Sequence, residues 1–173
     1  MFKYTDTEVT FSEFPDEISL CINISGCPIH CDYCHSKELW QNIGNILMST
    51  TIIDLINNNP GISCVGFMGG AQDVYHLLNL AICVRNKFPN IKIGWYTGQS
   101  EIPEIISENL EYFDYIKIGP YIKDKGGLDN PNTNQIMYKI NHLSDGKSTL
   151  EDITYRFWKK DIDDARNYQN DEE

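Results

Sequence analysis

Four short apolar runs recur along this chain, and each stops at a glycine-bearing turn. Glu17–Ser25 (EISLCINIS) ends at Gly26, and Ile62–Met68 (ISCVGFM) ends at Gly69-Gly70. Ile91–Tyr96 (IKIGWY) runs into Thr97-Gly98, and Tyr115–Ile118 runs into Gly119-Pro120. Runs of this length and composition, bounded by turn formers, read as buried strands. Helical segments lie between them. Ser49–Asn58 opens with hydroxyl caps and is stopped by Pro60-Gly61. Asp73–Phe88 has an acid at its start and Pro89 just beyond its end, and Glu101–Leu110 is a shorter third helix. These are ordinary start and stop signals. Alternation of strand and helix predicts βαβ units and a parallel sheet. With 173 residues the chain suits one domain. The expected fold is therefore a single α/β domain whose parallel sheet curls as an incomplete (β/α) barrel with its helices outside.

Ligands of such sheets bind at the carboxyl ends of the strands. The four glycine-bearing loops should therefore meet at one edge. After Ile118 the pattern changes. Gly119–Asn134 is dense in turn formers and reads as a functional or partly mobile loop. Gln135–Asn141 alternates as a late strand, free to run antiparallel.

A net charge of −11 and a pI near 4.7 argue against a nucleic-acid or anionic-membrane partner. The first residues, MFKYTDTEVTFSEFPDE, lack the apolar core of an export signal, and no run has the length of a membrane span. A cytoplasmic setting is expected, where thiols stay reduced. From Asp161 to Glu173 there are six acids and one base, Arg166. The expected organisation is thus a domain over 1–158 and an acidic tail over 159–173.

Six cysteines are present. Cys21, Cys64 and Cys83 stand alone among apolar residues and read as small buried hydrophobes. Cys27, Cys31 and Cys34 are clustered, C-x3-C-x2-C, in GCPIHCDYCHSKELW (Gly26–Trp40). Gly26 and Pro28 favour a loop, with helix beginning only near Ser36. Two metal readings compete. Zinc takes four ligands, so a Cys3His site with His30 or His35 is one possibility. Structural zinc sites, however, usually draw ligand pairs from two segments, and no second pair exists here. A [4Fe–4S] cluster normally takes four thiolates. Held by three, it keeps one iron open for chemistry.

The triple cysteine pattern, with aromatic Tyr33 before Cys34, resembles the signature of radical S-adenosylmethionine enzymes. The resemblance implies that Cys27, Cys31 and Cys34 ligate one [4Fe–4S] cluster and that S-adenosylmethionine chelates the open iron. It implies that backbone around Tyr33, Cys34 and His35 holds that cofactor. Gly69-Gly70 resembles the family's glycine-rich segment, which contacts the cofactor's amino group. The family usually follows its glycines with an acid; here Ala71-Gln72 intervene, and Asp73 serves more simply as a helix N-cap. Thr97, ending the third run, is a further cofactor-binding candidate, with capping as its plainer role.

Over roughly Ile18 to Ile140 the chain resembles one subgroup, the activating proteins of anaerobic ribonucleoside-triphosphate reductase. The resemblance is carried by the cysteine segment through Trp40 and Gly44, by FMGG, and by GPYIKDKGGLDNPNTNQ. It implies two partners: the large subunit of that reductase, and a flavodoxin or ferredoxin-type reductant. No catalytic side chain beyond cluster and cofactor is implied. Two alternatives stand beside it: a radical enzyme acting on a small molecule, as in modified (deaza)purine biosynthesis, and a Cys3His zinc module that binds a protein. Trp40, Gly126-Gly127 and Asn134-Gln135 are weaker candidates, for shielding the cluster and for facing the partner.

Overall fold

The computed structural model describes residues 1–158. The acidic segment 159–173 lies outside the described residues. Eight strands form one sheet: β1 (Phe2–Thr10), β2 (Ser19–Ile24), β3 (Asn45–Leu47), β4 (Cys64–Met68), β5 (Lys92–Tyr96), β6 (Tyr115–Ile118), β7 (Ile136–His142) and β8 (Ser148–Asp152). Their order is β3-β1-β2-β4-β5-β6-β7-β8. Three helices, α1 (Ser49–Asn57), α2 (Val74–Lys87) and the single turn α3 (Glu104–Ser107), fill the connections. No helix among the described residues is long and apolar enough to cross a membrane.

The expected parallel sheet is realised only in the middle. β2, β4, β5 and β6 pair parallel, whereas β1 joins β2 and β7 joins β6 antiparallel. The sheet is therefore mixed, with β3 and β8 as its ends. The N-terminal strand β1 is a correction to the sequence reading. Its one fully buried residue is Phe2, so FKYTDTEVT carries almost no apolar alternation. The third helix shortens to Glu104–Ser107, followed by a 3-10 turn at Leu110–Tyr112.

Period-two alternation sorts the parallel strands onto two faces. Leu20, Ile22, Val65, Phe67, Ile93, Trp95, Ile116 and Ile118 join the main core with Leu77, Leu80 and Val84 of α2. The other face carries Cys21, Cys64, Tyr115 and Met137 around the fully buried Phe14. Gly66 and Gly94 lie beneath that ring. A Cβ on Gly94 would stand 2.1 Å from Phe14 Cε1, so only glycine leaves room. Cys21 and Cys64 are buried as expected, while Cys83 is half-buried.

The amino ends of the strands are closed by a polar network. Buried Glu17 accepts from Ser63 Oγ (2.6 Å) and Tyr115 OH (3.1 Å) and pairs with Lys92. The carboxyl ends are left for a site.

Candidate metal centre at the carboxyl edge of the sheet

The cysteine loop leaves β2 and is tied back on itself. The N–H groups of Gly26 and Cys27 both donate to Leu39 O, each at 2.8 Å. The Cys34 N–H donates to Cys31 O at 2.9 Å, and the Ser36 N–H reaches Cys34 Sγ at 3.4 Å. A 3-10 turn follows at Lys37–Trp40, close to where helix was expected. These bonds close the loop without a helix.

Cys27, Cys31 and Cys34 are all half-buried and line one cavity of about 250 Å³. Met68 and Gly69 from the β4 end, Tyr96, Thr97 and Gly98 from the β5 end, and Lys117 and Gly119 from the β6 end complete it. The four loops do converge. Gly98 touches the cysteine loop directly, with its missing Cβ 3.1 Å from Ile29 carbons. Tyr96 forms the floor; its hydroxyl donates to Glu13 O at 2.6 Å, and its ring packs edge-on to Phe14.

The other candidates fall unevenly around this cavity. Gly69 lines it at φ +115°, where a Cβ would come within 2.9 Å of Ile24 O, and its carbonyl accepts from Trp95 Nε1 at 2.7 Å. Gly70 turns the other way, against Phe2 and Leu77 in the core. Thr97 lines the cavity and caps locally, accepting from the Gln99 N–H at 3.2 Å. Tyr33 is exposed on the outer side of the loop beneath Lys123 Nζ, 4.4 Å from its ring centroid. His35 is exposed and packs on Tyr121, and His30 stacks on Trp40 at 4.8 Å. Asp73 caps α2, accepting from the His76 N–H at 3.0 Å.

Two residues were missed in the sequence. Gln72, noted only as a departure from an acid, donates to Ser25 O at 2.8 Å and so ties the Gly69-Gly70 turn to the start of the cysteine loop. Lys117 is buried in the cavity wall and donates to Gly119 O at 2.9 Å. Burial pushes its pKa down to about 8, against an opposing pull from Cys31 and Glu13. The signal was present in YIKI. A lysine between two isoleucines in a buried strand occupies a position where a charge is rarely left without purpose.

A family model described as a 4Fe-4S single cluster domain matches residues 18–141, from the start of β2 to the end of β7. The chain belongs to this 4Fe-4S single cluster domain family. No curated protein and no solved structure matches the chain. The residues present fit a cluster. Thiolates are the donors that iron–sulfur clusters take, and three of them line one cavity. Among the described residues no three Cys, His, Asp or Glu side chains converge as tightly as one ion requires. A cluster takes its cysteines on separate irons, so its thiolates need not meet at one atom. Among the described lining residues there is no fourth cysteine and no histidine, aspartate or glutamate. The zinc alternative needs His30 or His35 as fourth ligand, and neither lines this cavity: His30 stacks on Trp40, and His35 packs on the lining residue Tyr121.

Proposed function

We propose that this 4Fe-4S single cluster domain protein is a radical S-adenosylmethionine enzyme that installs the glycyl radical on anaerobic ribonucleoside-triphosphate reductase. One observation carries the reading: three cysteines, without a fourth protein ligand among the described residues, face a cavity walled by the loops of all four parallel strands. Such a donor set would hold a cluster by three thiolates and leave it open to S-adenosylmethionine. The chemistry supplied by cluster and cofactor together is one-electron cleavage of a C–S bond, giving methionine and a 5′-deoxyadenosyl radical that takes a hydrogen atom from its target.

The chain's own part is to bind, orient and exclude water. Cys27, Cys31 and Cys34 hold the cluster. Gly69, with a positive φ that suits only glycine and its carbonyl already committed to Trp95, offers backbone to the cofactor. Thr97 and Gly98, continuing the neighbouring strand, line the wall beside it. Tyr96, packed edge-on to Phe14, lines the floor of the cavity at the carboxyl edge of the sheet. A glycine-bearing loop of the reductase would enter there. The electron comes from a flavodoxin or ferredoxin-type donor in the cytoplasm.

The test is anaerobic reconstitution with iron and sulfide, reduction, and EPR with and without S-adenosylmethionine. A reduced-cluster signal that changes when the cofactor is added, followed by a glycyl radical doublet on the reductase, is the expected result. Zinc in place of iron would refute the enzyme. Cofactor cleavage without any radical on the reductase would refute the partner and turn the search to small molecules.

A further inference from the structure

Lys117 lies on the inner face of β6, between Ile116 and Ile118, which face the helices. Only 8% of it is exposed. Its Nζ donates to Gly119 O at 2.9 Å and lies 5.9 Å from the Tyr96 ring centroid. An ammonium carries three donors, and among the described residues no carboxylate lies within ion-pair distance of Lys117; Glu13 pulls on it only from farther away. A buried cation without a direct ion-pair partner is strongly unfavourable. Yet this one lines the cavity of the three thiols, whose other ionisable groups are two tyrosines, and borders a second cavity with Glu13, His35 and Asp129. Cys31 is already within electrostatic reach of it.

We infer that Lys117 is the counter-charge of the iron–sulfur site, a positioning residue that stabilises the three thiolates and favours the reduced cluster over the oxidised one. The inference rests on the cluster occupying this cavity, not on the radical chemistry. Reduction adds one electron from an external one-electron donor of the flavodoxin or ferredoxin class and moves no proton, so Lys117 stays an ammonium. A fixed positive charge in a poorly solvated wall gains attraction with each added negative charge. Removing it should make the cluster harder to reduce.

The experiment compares the reconstituted wild type with Lys117→Met, Lys117→Gln and Lys117→Arg by anaerobic redox titration, read from the reduced-cluster EPR signal. Iron and sulfide are counted for each. The Met and Gln variants should shift the reduction equilibrium at least tenfold toward the oxidised form, about 59 mV for a one-electron couple. Arg should stay within about threefold of wild type, because it keeps the charge. A second readout uses the metal-free protein. Lys117→Met should melt higher than wild type, since it removes an unpaired buried charge. A lysine that serves only to hold the Gly119 carbonyl would instead give a lower melting temperature and an unmoved potential. Gln keeps a donor for that carbonyl and so covers the case in which Met does not fold. An equal potential at equal cluster content overturns the inference alone. So does a shift seen only when S-adenosylmethionine is present, which would assign the ammonium to the ligand's carboxylate. A wild type that assembles no cluster overturns the cluster reading and this inference with it.

Discussion

Replacing Gly94 with alanine tests how the floor of the cavity is built. The added Cβ would stand 2.1 Å from Phe14 Cε1 and 2.2 Å from Cζ. Carbon atoms in contact prefer about 3.5–4.0 Å, so the ring must retreat by at least about 1.4 Å. Phe14 has nowhere to go. It is fully buried, it packs on Tyr96 and Tyr115 with centroids 5.3 and 5.5 Å away, and Gly66 closes in from the next strand. Overpacking of this kind costs about 1–3 kcal/mol, and the closeness of two ring atoms puts Gly94→Ala at the upper end, about 3 kcal/mol. For a chain of this size the melting temperature should fall by about 6–12 °C. The assay is thermal or urea unfolding of the metal-free protein, with Phe14→Leu as the partner substitution. Leucine shortens the side chain facing the new methyl, so the double variant should lose clearly less than the sum of the two single losses. Strict additivity, or a Gly94→Ala protein as stable as wild type, would refute the account of Phe14 as a plug seated on glycines.

Single alanine replacements of Cys27, Cys31 or Cys34 should each abolish stable cluster assembly, read as iron and sulfide per chain. Cys21→Ala and Cys64→Ala should keep the cluster and lose about 1 kcal/mol of stability. In the metal-free protein at pH 8, an alkylating agent should label the three loop cysteines long before Cys21. Burial pushes that thiol up to about 12, leaving only about one molecule in ten thousand as the reactive thiolate. Peptide mass spectrometry reads the order, and equal labelling of Cys21 would contradict its burial. The same burial predicts alkaline weakening. Cys21 and Tyr115 both hold their protons to about 12 in the folded protein, chiefly because burial disfavours their anions. Their contribution is complete below the ordinary values of about 9 and 10 and is lost as pH rises toward 12. Unfolding free energy should therefore decline from about pH 9 upward, and Cys21→Val should flatten the first part of that slope. Gln72→Ala removes the tie to Ser25 O. It should lower stability by about 1 kcal/mol and speed iron loss to a chelator.

Much of the site was legible in the residues because it depends on local chemistry. Three thiols within eight positions leave few metal readings. Apolar runs ending at Gly26, Gly69, Gly98 and Gly119 placed four loops at one edge of a parallel sheet, and these loops do line one cavity. Asp73 acted as a cap because an N-cap needs only its own backbone. The matched family segment, 18–141, nearly coincides with the span over which the resemblance was read. What needed the tertiary structure was everything set by pairing and direction. β1 was invisible because its neighbours, not its composition, make it a strand: it pairs with β2 on one side and β3 on the other while burying one residue completely. The antiparallel edges follow from register between distant segments. Neighbours in sequence also part company in space. Gly69 faces the cavity and Gly70 faces Phe2, while Cys34 turns inward and Tyr33 and His35 turn outward. Lys117 is the sharpest case. Its chemistry could be read from YIKI, but whether the ammonium faced a carboxylate, water or the cysteine cavity depended on which way β6 faced and on where the β2 loop ran.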